Sequence, residues 1–500
     1  MDTILTIDQG TTSTKALLVD AASGAVLGRG TAPVAIAYPR PGWVEQDAED
    51  LWGSVQVAAR RCLADAARPV TALAISNQRE SVVAWRASSG DPLGPVLGWQ
   101  DSRTAAWCAK VTATERVWAR TGLPLDAMYS APKMRWLLQY ARDLGVPAGD
   151  VRVGTVDSWL VHRLTGEHLV EAGNASRTLL LDLDRLEWDE EMLALFGLPD
   201  VVLPRVQASS GGFGTVRGGA LGLDGVPVLA VLADSHAALY HHGQAAPGAA
   251  KATYGTGSSV MLPTDGRVRG TGGATSTLAW LDGAPQYASE GNILTSGAAL
   301  DWVARLLGTP PDVPGGQALT ELAATEPDSG GVVVVPAFTG LGAPHWDRDA
   351  VGTLTGVTGG TTRGHVARAA LEAVAHQVCD VVEAVLRDGS ADPGAIVADG
   401  GATASPLLMQ TQADLLGRPV VVSAAPEASA LGAADLAARV LTGAAPPPTP
   451  PRRTHEPAID PEERARRRAA WRTAVRRSRG LAVDLPTTTT DLNTMGAVRS

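Results

Sequence analysis

The stretch ILTIDQGTTSTKALLV, residues 4–19, places two apolar runs on either side of a hydroxyl-rich turn. Each run is short enough and β-branched enough to be a buried strand. A second turn at Ser23-Gly24 then leads into the residues at 25–27. The sequence therefore predicts a three-stranded meander at the start of the chain.

The turn between the first two strands has a composition that suits phosphate. It is not the phosphate loop of the common nucleotide-binding proteins, because that loop opens a helix and ends in Gly-Lys-Ser/Thr. Backbone N–H groups and hydroxyls of a hairpin can still cradle an anion. The candidate groups are Gly10, Thr11, Thr12, Ser13 and Lys15. Asp8, at the end of the first strand, can hold Mg²⁺ through water. The alternative is an ordinary Gly/Thr-rich hairpin.

Composition makes several classes of function unattractive. The 500-residue chain has a formal net charge of −10, which is unfavourable for binding nucleic acid or an anionic membrane. Cys62, Cys108 and Cys379 are far apart, so neither a disulfide framework nor a zinc site is predicted. The N-terminus lacks a leader pattern, and no run of 18 apolar residues follows. We therefore expect a cytoplasmic protein without membrane insertion.

Periodicity and turn residues divide the first half of the chain into alternating helices and strands. Predicted helices cover residues 47–67, 102–120 and 131–144. Predicted strands cover residues 70–75, 81–85, 178–183 and 227–233, with a turn at 174–177. This pattern is typical of an α/β protein.

Arg79 and Glu80 follow the predicted strand at 70–75, and Trp99 lies downstream. Arg donates to hydroxyls, Glu accepts from them, and an indole can cover the apolar face of a polyol. These three residues can therefore line a polar pocket. On the sequence alone, however, the Arg–Glu pair is better interpreted as a surface ion pair that contributes little.

The apolar run at 227–233 ends at Asp234. Ligands of open α/β sheets bind at the carboxyl ends of strands, so Asp234 is a candidate general base. Asp234 can also cap the helix that begins at Ser235, and the two roles are compatible. Three nearby histidines share no ligand spacing with a carboxylate or a Cys, so we interpret them as solvated or core residues rather than metal ligands. They are His236, His241 and His242.

The opening motif returns in the second half of the chain. A strand at 251–254, the turn GTGSS at 255–259 and a strand at 260–262 repeat the first hairpin. One hairpin at the start of each half indicates a duplicated architecture with a ligand between the halves. Other predicted elements are helices at 296–307, 362–387 (ended by Gly389), 405–416 and 461–479, and strands at 332–336 and 395–398.

The strand at 395–398 leads into a double glycine at Gly400-Gly401. Two glycines between a strand and a helix allow a nucleotide to approach the backbone, although this signal is weak by itself. The helix at 461–479 is basic, with Trp471 facing inward, and we interpret its charge as a solvated face. Residues 485–500 are predicted to be disordered.

Three motifs together resemble the phosphate and nucleotide motifs of the FGGY family of carbohydrate kinases. They are DQGTTS at 8–13, YGTG at 254–257 and DGG at 399–401. MYSAPKMRW at 128–136 and the segment 352–372 are similar to the two signatures of that family. The resemblance implies two actin-like, ribonuclease-H-like α/β domains with a cleft between them. It implies a substrate- and phosphate-binding domain at 1–246, a nucleotide-binding domain at 247–480 and a disordered tail at 481–500.

Within the family, the glycerol kinase branch is similar at PGWVEQD (41–47), NQRE (77–80), NASRT (174–178) and PAFTGLGAP (336–344). This implies Mg²⁺- and ATP-dependent phosphorylation of a terminal hydroxyl of glycerol, giving sn-glycerol 3-phosphate and ADP. It implies a small polyol or sugar as the partner, and a homodimer or homotetramer. The substrate contacts it implies are Arg79, Glu80, Trp99, Tyr129, Asp234 (also the base) and Ser235. Beyond the first hairpin, the nucleotide contacts it implies are Thr256, Gly257, Gly297, Gly400, Gly401, Ala402 and Ser405.

Departures from the glycerol kinase pattern affect the predicted pocket. Met128 stands where those enzymes have a Tyr that hydrogen-bonds glycerol, Ser235 replaces a Gln, and Ser259 replaces a Phe. The last two changes predict a roomier pocket, so a kinase for erythritol, xylitol or xylulose is the alternative. A non-catalytic, actin-like nucleotide sensor is a more remote one. Gly225 takes the place of the Arg that enteric enzymes use for the inhibitor fructose 1,6-bisphosphate, so that regulation is not expected.

Overall fold

The protein is described from a computed structural model. The structure describes residues 2–64, 68–246, 248–269, 273–388 and 390–481. The helix stop predicted at Gly389 and the disordered segment predicted at 485–500 lie outside these ranges.

Strands and helices alternate along the described residues. In chain order the strands are β1 Thr3–Gln9, β2 Ser13–Asp20, β3 Val26–Pro33, β4 Glu45–Gln46, β5 Ala72–Asn77, β6 Val82–Arg86, β7 Val96–Leu97, β8 Val151–Thr155, β9 Leu169–Glu171, β10 Leu181–Asp182, β11 Glu187–Trp188, β12 Arg205–Gln207, β13 Val228–Ala233, β14 Ala250–Tyr254, β15 Ser258–Thr264, β16 Thr275–Asp282, β17 Ala284–Ile293, β18 Val333–Val335, β19 Thr353–Thr355, β20 Ile396–Asp399, β21 Val420–Val422 and β22 Arg453–His455. The α-helices are α1 Ala48–Leu63, α2 Ala105–Cys108, α3 Thr114–Thr121, α4 Ser130–Asp143, α5 Val156–Thr165, α6 Ala172–Ser176, α7 Glu190–Leu195, α8 Asp234–Ala245, α9 Gly297–Leu306, α10 Gly315–Ala323, α11 Arg363–Arg387, α12 Pro406–Leu416, α13 Ala428–Thr442 and α14 Pro461–Ser478.

The predicted meander forms one side of a five-stranded sheet of order β13-β5-β1-β2-β3. β1 pairs antiparallel with β2 and parallel with β5, and β5 pairs parallel with β13. Helices α1 and α5 cover one face of this sheet, while α8 and α13 cover the other. Strands covered on both faces must be apolar on both, which explains the nearly continuous apolar runs of β1 and β13.

The second half of the chain builds a seven-stranded sheet of order β16-β17-β15-β14-β20-β21-β22. Its β14–β15 hairpin is antiparallel, and β14, β20 and β21 pair in parallel. The order β15-β14-β20-β21 therefore matches β2-β1-β5-β13 of the first sheet. The duplicated architecture predicted from the two hairpins is confirmed.

Helix α13 lies in the chain between β21 and β22 of the second sheet but packs on the first sheet. The Thr6 hydroxyl of β1 donates to the Ala430 carbonyl oxygen of α13 at 3.0 Å. A Cβ at Gly432 would lie 1.8 Å from the Ala237 carbonyl oxygen of α8, so only glycine permits this close approach of α13 to α8. The two halves therefore share part of one core.

The prediction is wrong in two regions of the chain. The single helix predicted at 102–120 is two helices, α2 and α3, separated by residues 109–113, where β-branched Val111 and Thr112 weaken a helix. Residues 174–177 begin inside the short helix α6, whose N-terminal N–H groups donate to the Glu171 carboxylate, and the strand predicted at 178–183 is reduced to β10. Both errors come from local capping and side-chain effects that a pattern of apolar residues does not carry.

The C-terminal helix agrees with the prediction. The Trp471 side chain of α14 is buried and its indole N–H donates to Asp380 of α11 at 2.7 Å. Arg468 is the exception on the charged face, because it is buried and ion-paired with the same Asp380. No helix in the described ranges combines the length and apolarity that crossing a bilayer requires.

Candidate active site

The first hairpin lies at the carboxyl end of β1. The Gly10 N–H donates to the Ser13 carbonyl oxygen at 3.0 Å, closing a tight turn, and β2 continues as a strand. Thr12 at the tip is exposed, whereas Thr11 is half-buried. Lys15 lies opposite Asp8 in the β1–β2 register, and its charge partly offsets the burial that raises the pKa of that carboxyl. The turn presents its N–H groups and hydroxyls without the help of a helix.

Three buried glutamines hold this hairpin from behind. The Gln78 side-chain amide donates to the side-chain oxygens of Gln9 and Gln46, each at 3.0 Å. Gln46 in turn donates to the Thr11 carbonyl oxygen at 2.7 Å. The Ser81 hydroxyl donates to the Gln78 side-chain oxygen at 2.8 Å. The position of the hairpin is thus fixed by side chains from β1, β4 and the end of β5.

Trp99 closes this network into a ring. Its backbone N–H donates to the Ser81 hydroxyl, and its indole N–H donates to the Thr11 hydroxyl, both at 3.0 Å. Because the Thr11 oxygen accepts from the indole, its own hydrogen is free to point elsewhere. Trp99, predicted to cover a polyol, is therefore bonded directly to the predicted phosphate turn.

Asp234 is the first residue of α8, at the carboxyl end of β13, and its side chain is 37% exposed. The Ser235 N–H donates to its Oδ1 at 2.6 Å, and the Arg79 Nε lies 3.6 Å from the same oxygen. Exclusion of bulk water by the surrounding protein raises the pKa of Asp234 despite the guanidinium. Burial, followed by the charge of Asp234, raises the pKa of Asp8 to about 6. The two carboxyls predicted for base and metal thus lie near one another.

The interpretation of Arg79 and Glu80 as a surface ion pair is wrong, since both side chains are buried. Arg79 makes a bidentate pair with Glu290 of β17, with N–O distances of 3.1 and 2.7 Å. Glu80 accepts from the Arg177 Nε at 2.8 Å and has a positive φ of 60°. Burial was invisible to sequence reasoning because Glu290, the main partner of Arg79, lies 211 residues away.

Arg177 and Glu290 were not among the predicted site residues. Both side chains are fully buried, and Arg177 Nη1 lies 2.9 Å from Glu290 Oε2. Burial opposes ionisation of Glu290, but the two guanidinium groups outweigh it and lower the pKa of Glu290 to about 2. Arg177 stands in the NASRT stretch, which could have flagged it, whereas nothing in the sequence around Glu290 does.

The remaining predicted substrate residues lie at different depths. Tyr129 is fully buried, its ring faces the Arg177 guanidinium at 5.3 Å, and its hydroxyl has no hydrogen-bond partner among the described residues. Met128 is half-buried on the same segment, and Ser235 is half-buried beside Asp234. Ser235 is therefore at the open end of the cluster, while Tyr129 lies beneath it.

The second hairpin lies against the N-terminus of α9. The Gly255 N–H donates to the Gly257 carbonyl oxygen at 2.9 Å, and the Gly297 N–H donates to the Gly255 carbonyl oxygen at 2.9 Å. The Ser296 N–H donates to the Thr256 carbonyl oxygen at 3.0 Å. A Cβ at Gly297 would lie 2.5 Å from the Gly255 oxygen. Thr256 is exposed at the tip. Backbone bonds, together with a 2.7 Å bond from the Ser258 hydroxyl to the Ser296 hydroxyl, hold this turn to α9.

The double glycine forms an exposed turn between β20 and α12. Gly400 has a positive φ of 92°, and a Cβ there would lie 2.5 Å from the Tyr254 carbonyl oxygen. Nothing lies within 4 Å of a Cβ placed on Gly401, so its surface is open. Ala402 is half-buried, and Ser405 is buried as the N-cap of α12, accepting from the Leu408 N–H at 3.2 Å. Gly400 and Gly401 are therefore accessible, while Ser405 serves the helix.

The three histidines of α8 are core residues. His241 pairs with Asp435 and His242 with Asp399, and His236 lies buried near Arg79. No group of three or more potential metal ligands occurs among the described residues. Their burial agrees with the interpretation of these histidines as core residues.

The residues present fit a magnesium nucleotide. Two glycine-tight turns and the open face of Gly401 provide the close backbone approach that phosphates and a nucleoside need. Asp8 lies near Asp234 at the end of β1, and Mg²⁺ takes few carboxylates and keeps most of its water, so Asp8 would suit the ion.

Comparison with known proteins agrees with this geometry. The family model described as "FGGY family of carbohydrate kinases, N-terminal domain" matches residues 3–240, and the corresponding C-terminal domain model matches residues 250–441. The chain belongs to the FGGY family of carbohydrate kinases. The predicted family and its two-domain, actin-like α/β fold are confirmed.

Individual FGGY proteins are similar over nearly the whole chain. A glycerol kinase of Aromatoleum aromaticum is 44% identical over 497 residues, covering 96% of this chain and 99% of that one. The crystal structure of Plasmodium falciparum glycerol kinase with ADP superposes with a TM-score of 0.88 at 28% identity, covering 97% and 99%. A gluconate kinase from Lactobacillus acidophilus reaches a TM-score of 0.85 at 20% identity, covering 95% and 98%, and shares the fold.

Proposed function

We propose that the protein is a glycerol kinase, which transfers the γ-phosphoryl group of ATP to a terminal hydroxyl of glycerol and releases sn-glycerol 3-phosphate and ADP. The observation that carries the proposal is the cluster of Asp234, Arg79 and Glu80 at the carboxyl ends of β13 and β5. This cluster provides a proton acceptor beside a hydroxyl donor and a hydroxyl acceptor. The similarity to glycerol kinases over almost the full chain supports the same substrate.

Asp234 accepts the proton of the attacking hydroxyl as the new O–P bond forms and the bond to the leaving ADP oxygen breaks. Its raised pKa makes it a better proton acceptor near neutral pH than an ordinary carboxylate. Arg79 and Glu80 orient the polyol by donating to and accepting from its hydroxyls, and Trp99 covers its carbon face. Asp8 would help to hold Mg²⁺, which would supply neutralisation of phosphate charge.

The two hairpins hold the phosphates from opposite sides. The first offers Gly10, Thr11, Thr12 and Ser13, with Lys15 behind it, and the second offers Thr256 and Gly257 beside Gly297. Gly400, Gly401 and Ala402 face the nucleoside. Positioning and charge neutralisation are what phosphoryl transfer mainly requires of a protein.

A kinase for a longer polyol or ketose, such as erythritol, xylitol or xylulose, is the second candidate. Ser235 and Met128 favour it, because Ser235 leaves space beside Asp234 and Met128 offers no hydroxyl to glycerol. Ser259 supports it less, since its hydroxyl is buried within the second hairpin. A direct comparison of the two kinds of substrate therefore decides between the two candidate functions.

The test is ADP release by the purified protein with Mg·ATP and equal concentrations of glycerol, erythritol, xylitol, D-xylulose, L-ribulose and gluconate. We expect glycerol to give the highest kcat/KM. A longer substrate that is clearly better would replace the proposal with the second candidate.

The assignment of the base is tested by Asp234→Asn. We expect kcat to fall by about a thousandfold or more, because the amide cannot take the hydroxyl proton, while the glycerol KM changes little. Asp224→Asn, in an exposed loop, is the control and should match the wild type. Near-normal turnover by Asp234→Asn would exclude this residue as the base.

We also propose that the enzyme is a cytoplasmic homodimer or homotetramer. Use of ATP and three buried, unpaired cysteines suit a reducing, ATP-rich compartment. Exposed Trp302 and Phe338, with ring centroids 4.9 Å apart, supply apolar surface of the kind that subunits bury. Sedimentation velocity at micromolar concentration should show a dimer or larger species.

A further inference from the structure

Besides Asp234, helix α8 carries a histidine that contacts the second half of the chain. His242, in its third turn, places Nε2 at 2.7 Å from Oδ2 of Asp399, and the two side chains are 5% and 10% exposed. An ionised carboxylate can only accept a hydrogen bond, so the imidazole N–H is the donor. The pair therefore joins α8 of the first half to the end of β20 in the second.

Asp399 is the residue directly before the Gly400–Gly401 turn. The backbone of that turn is packed so closely on Tyr254 that a Cβ on Gly400 would lie 2.5 Å from the Tyr254 carbonyl oxygen. A displacement of Asp399 must therefore move the turn relative to β14. Since β14 leads into the second hairpin, the His242–Asp399 pair can affect the positions of both the Gly400–Gly401 turn and the second hairpin, which we assign to the nucleotide.

The length of α8 relates this pair to the chemistry. Eight residues separate Asp234 from His242, which is about 12 Å along an α-helix. The helix is held by Asp234 and its strand at one end, and by the His242–Asp399 bond near the other. The helix can therefore fix the distance between the base, Asp234, and the Gly400–Gly401 turn.

We propose that His242 is a positioning residue for the nucleotide: through Asp399 it holds the Gly400–Gly401 turn at a fixed place relative to Asp234. This rests on the proposed function in one respect, the contact of ATP with that turn. Buried Lys251 also faces Asp399, and its charge helps keep the carboxylate ionised so that it can accept from His242. The inference predicts that loss of the bond weakens nucleotide binding while the polyol site is spared.

The adjacent His241 offers a matched control. Its Nδ1 lies 2.6 Å from Asp435 Oδ2, and both side chains are buried to a similar degree. Asp435 belongs to α13, in the shared core, and is not part of the Gly400–Gly401 turn. Breaking this pair should disturb stability without moving the nucleotide turn.

The experiment uses the different side-chain lengths of Asn and Gln, which place the amide nitrogen at different distances from the backbone. A Gln amide nitrogen can occupy the place of Nε2, whereas Asn is too short, so His242→Gln keeps the donor and His242→Asn removes it. His241→Gln, in contrast, misplaces the Nδ1 donor and breaks the control pair. Calorimetric titration with ADP gives Kd for each variant, and steady-state kinetics give KM for ATP and for glycerol separately. Melting temperatures show that each variant is folded.

We expect His242→Asn to raise the Kd for ADP and the KM for ATP about tenfold, with the glycerol KM unchanged within about twofold. His242→Gln should recover ADP binding to within about threefold of the wild type. His241→Gln should lower the melting temperature but leave the Kd for ADP unchanged.

The inference is overturned if His242→Asn binds ADP as the wild type does, or if His241→Gln weakens ADP binding as much as His242→Asn. The two proposals remain distinguishable, because ADP binding is measured without glycerol. Wild-type protein that binds ADP but phosphorylates no glycerol would contradict the proposed function and leave the comparison of variants decisive.

Discussion

The two hydroxyl-rich hairpins have the same position in their sheets but are supported differently. The first is held by side chains: Gln46 bonds to Thr11, and Gln78 and Trp99 complete a closed ring behind it. The second is held mainly by backbone bonds from the start of α9, with one side-chain bond from Ser258 to Ser296, and by glycines that allow close approach. Duplication thus preserved the turn and not its support. Because the ring of the first hairpin includes Trp99, which we propose to cover the polyol, that hairpin is coupled to the proposed acceptor site.

We expect the largest effect from removing the buried ion pairs that Glu290 of the second half makes with two arginines of the first half. Glu290→Gln, on the strand paired with β15, leaves Arg79 and Arg177 without their shared buried carboxylate. We expect the free energy of unfolding to fall by about 3–5 kcal/mol and the glycerol KM to rise, as measured by urea denaturation and kinetics. Exposed Glu321→Gln is the control and should change neither quantity.

The same variant has a defined pH dependence. The pKa of Glu290 is about 2 in the folded protein and 4.5 as the ordinary value, so its ionisation stabilises the fold above pH 4.5. The stability difference between wild type and Glu290→Gln should therefore be constant from pH 8 to about 5 and shrink as the pH falls further. A difference that shrinks already between pH 8 and 6 would contradict the assigned pairing.

The backbone support of the second hairpin is tested by Gly297→Ala. The added Cβ would lie 2.5 Å from the Gly255 carbonyl oxygen, so the turn must move, at about 1–3 kcal/mol. We expect the KM for ATP to rise about tenfold or more in steady-state assays. Gly53→Ala in α1, where nothing lies within 4 Å of the new Cβ, should leave kinetics unchanged. Wild-type ATP kinetics for Gly297→Ala would mean that this turn does not touch the nucleotide.

The side-chain support of the first hairpin is tested by Gln78→Leu. Gln9, Gln46 and Ser81 would each lose a buried partner, and we expect a destabilisation of about 1–3 kcal/mol. Because the ring joins the proposed sites of both substrates, kcat should fall more than either KM rises. Exposed Gln139→Leu is the matched control. An unchanged kcat would show that the ring supports the fold only.

The smallest expected effects separate single hydroxyls of the two hairpins. Thr11→Val removes the acceptor of the Trp99 indole N–H and should destabilise by about 1 kcal/mol, with a measurable loss of kcat/KM. Ser259→Ala removes a buried hydroxyl without a hydrogen-bond partner among the described residues, so stability should be equal or slightly higher. Equal losses from the two changes, compared by thermal melting and kinetics, would remove the distinction between the hairpins.

Local pattern was sufficient for much of the fold and for part of the site. The apolar runs around the two turns predicted both hairpins and the duplication, and the strand end at 227–233 predicted the place of Asp234. Residues of the site that lie on strand ends or tight turns could be found because their chemistry and their position are both local. The roles assigned to them remain predictions.

Long-range pairing accounts for what the sequence could not provide. Glu290 is distant in the chain from both of its arginines, and no spacing connects them, so Arg79 and Glu80 were misplaced on the surface. Gln46 and Gln78 lie in the stretches at 41–47 and 77–80 that resemble the glycerol kinase branch. The hydrogen bond between them, however, depends on how β4 meets the end of β5. Tyr129 has the residue type of a substrate contact, and only packing shows that its ring is fully buried against the Arg177 guanidinium.

The most direct test of the account is the identity of the product formed from glycerol and Mg·ATP, followed by ³¹P NMR. We expect one new phosphomonoester, glycerol phosphorylated at a terminal carbon, appearing in step with ADP and absent with Asp234→Asn. ADP accompanied by inorganic phosphate alone, or no turnover with glycerol, would contradict the assignment of Asp234, Arg79 and Glu80 to a glycerol site.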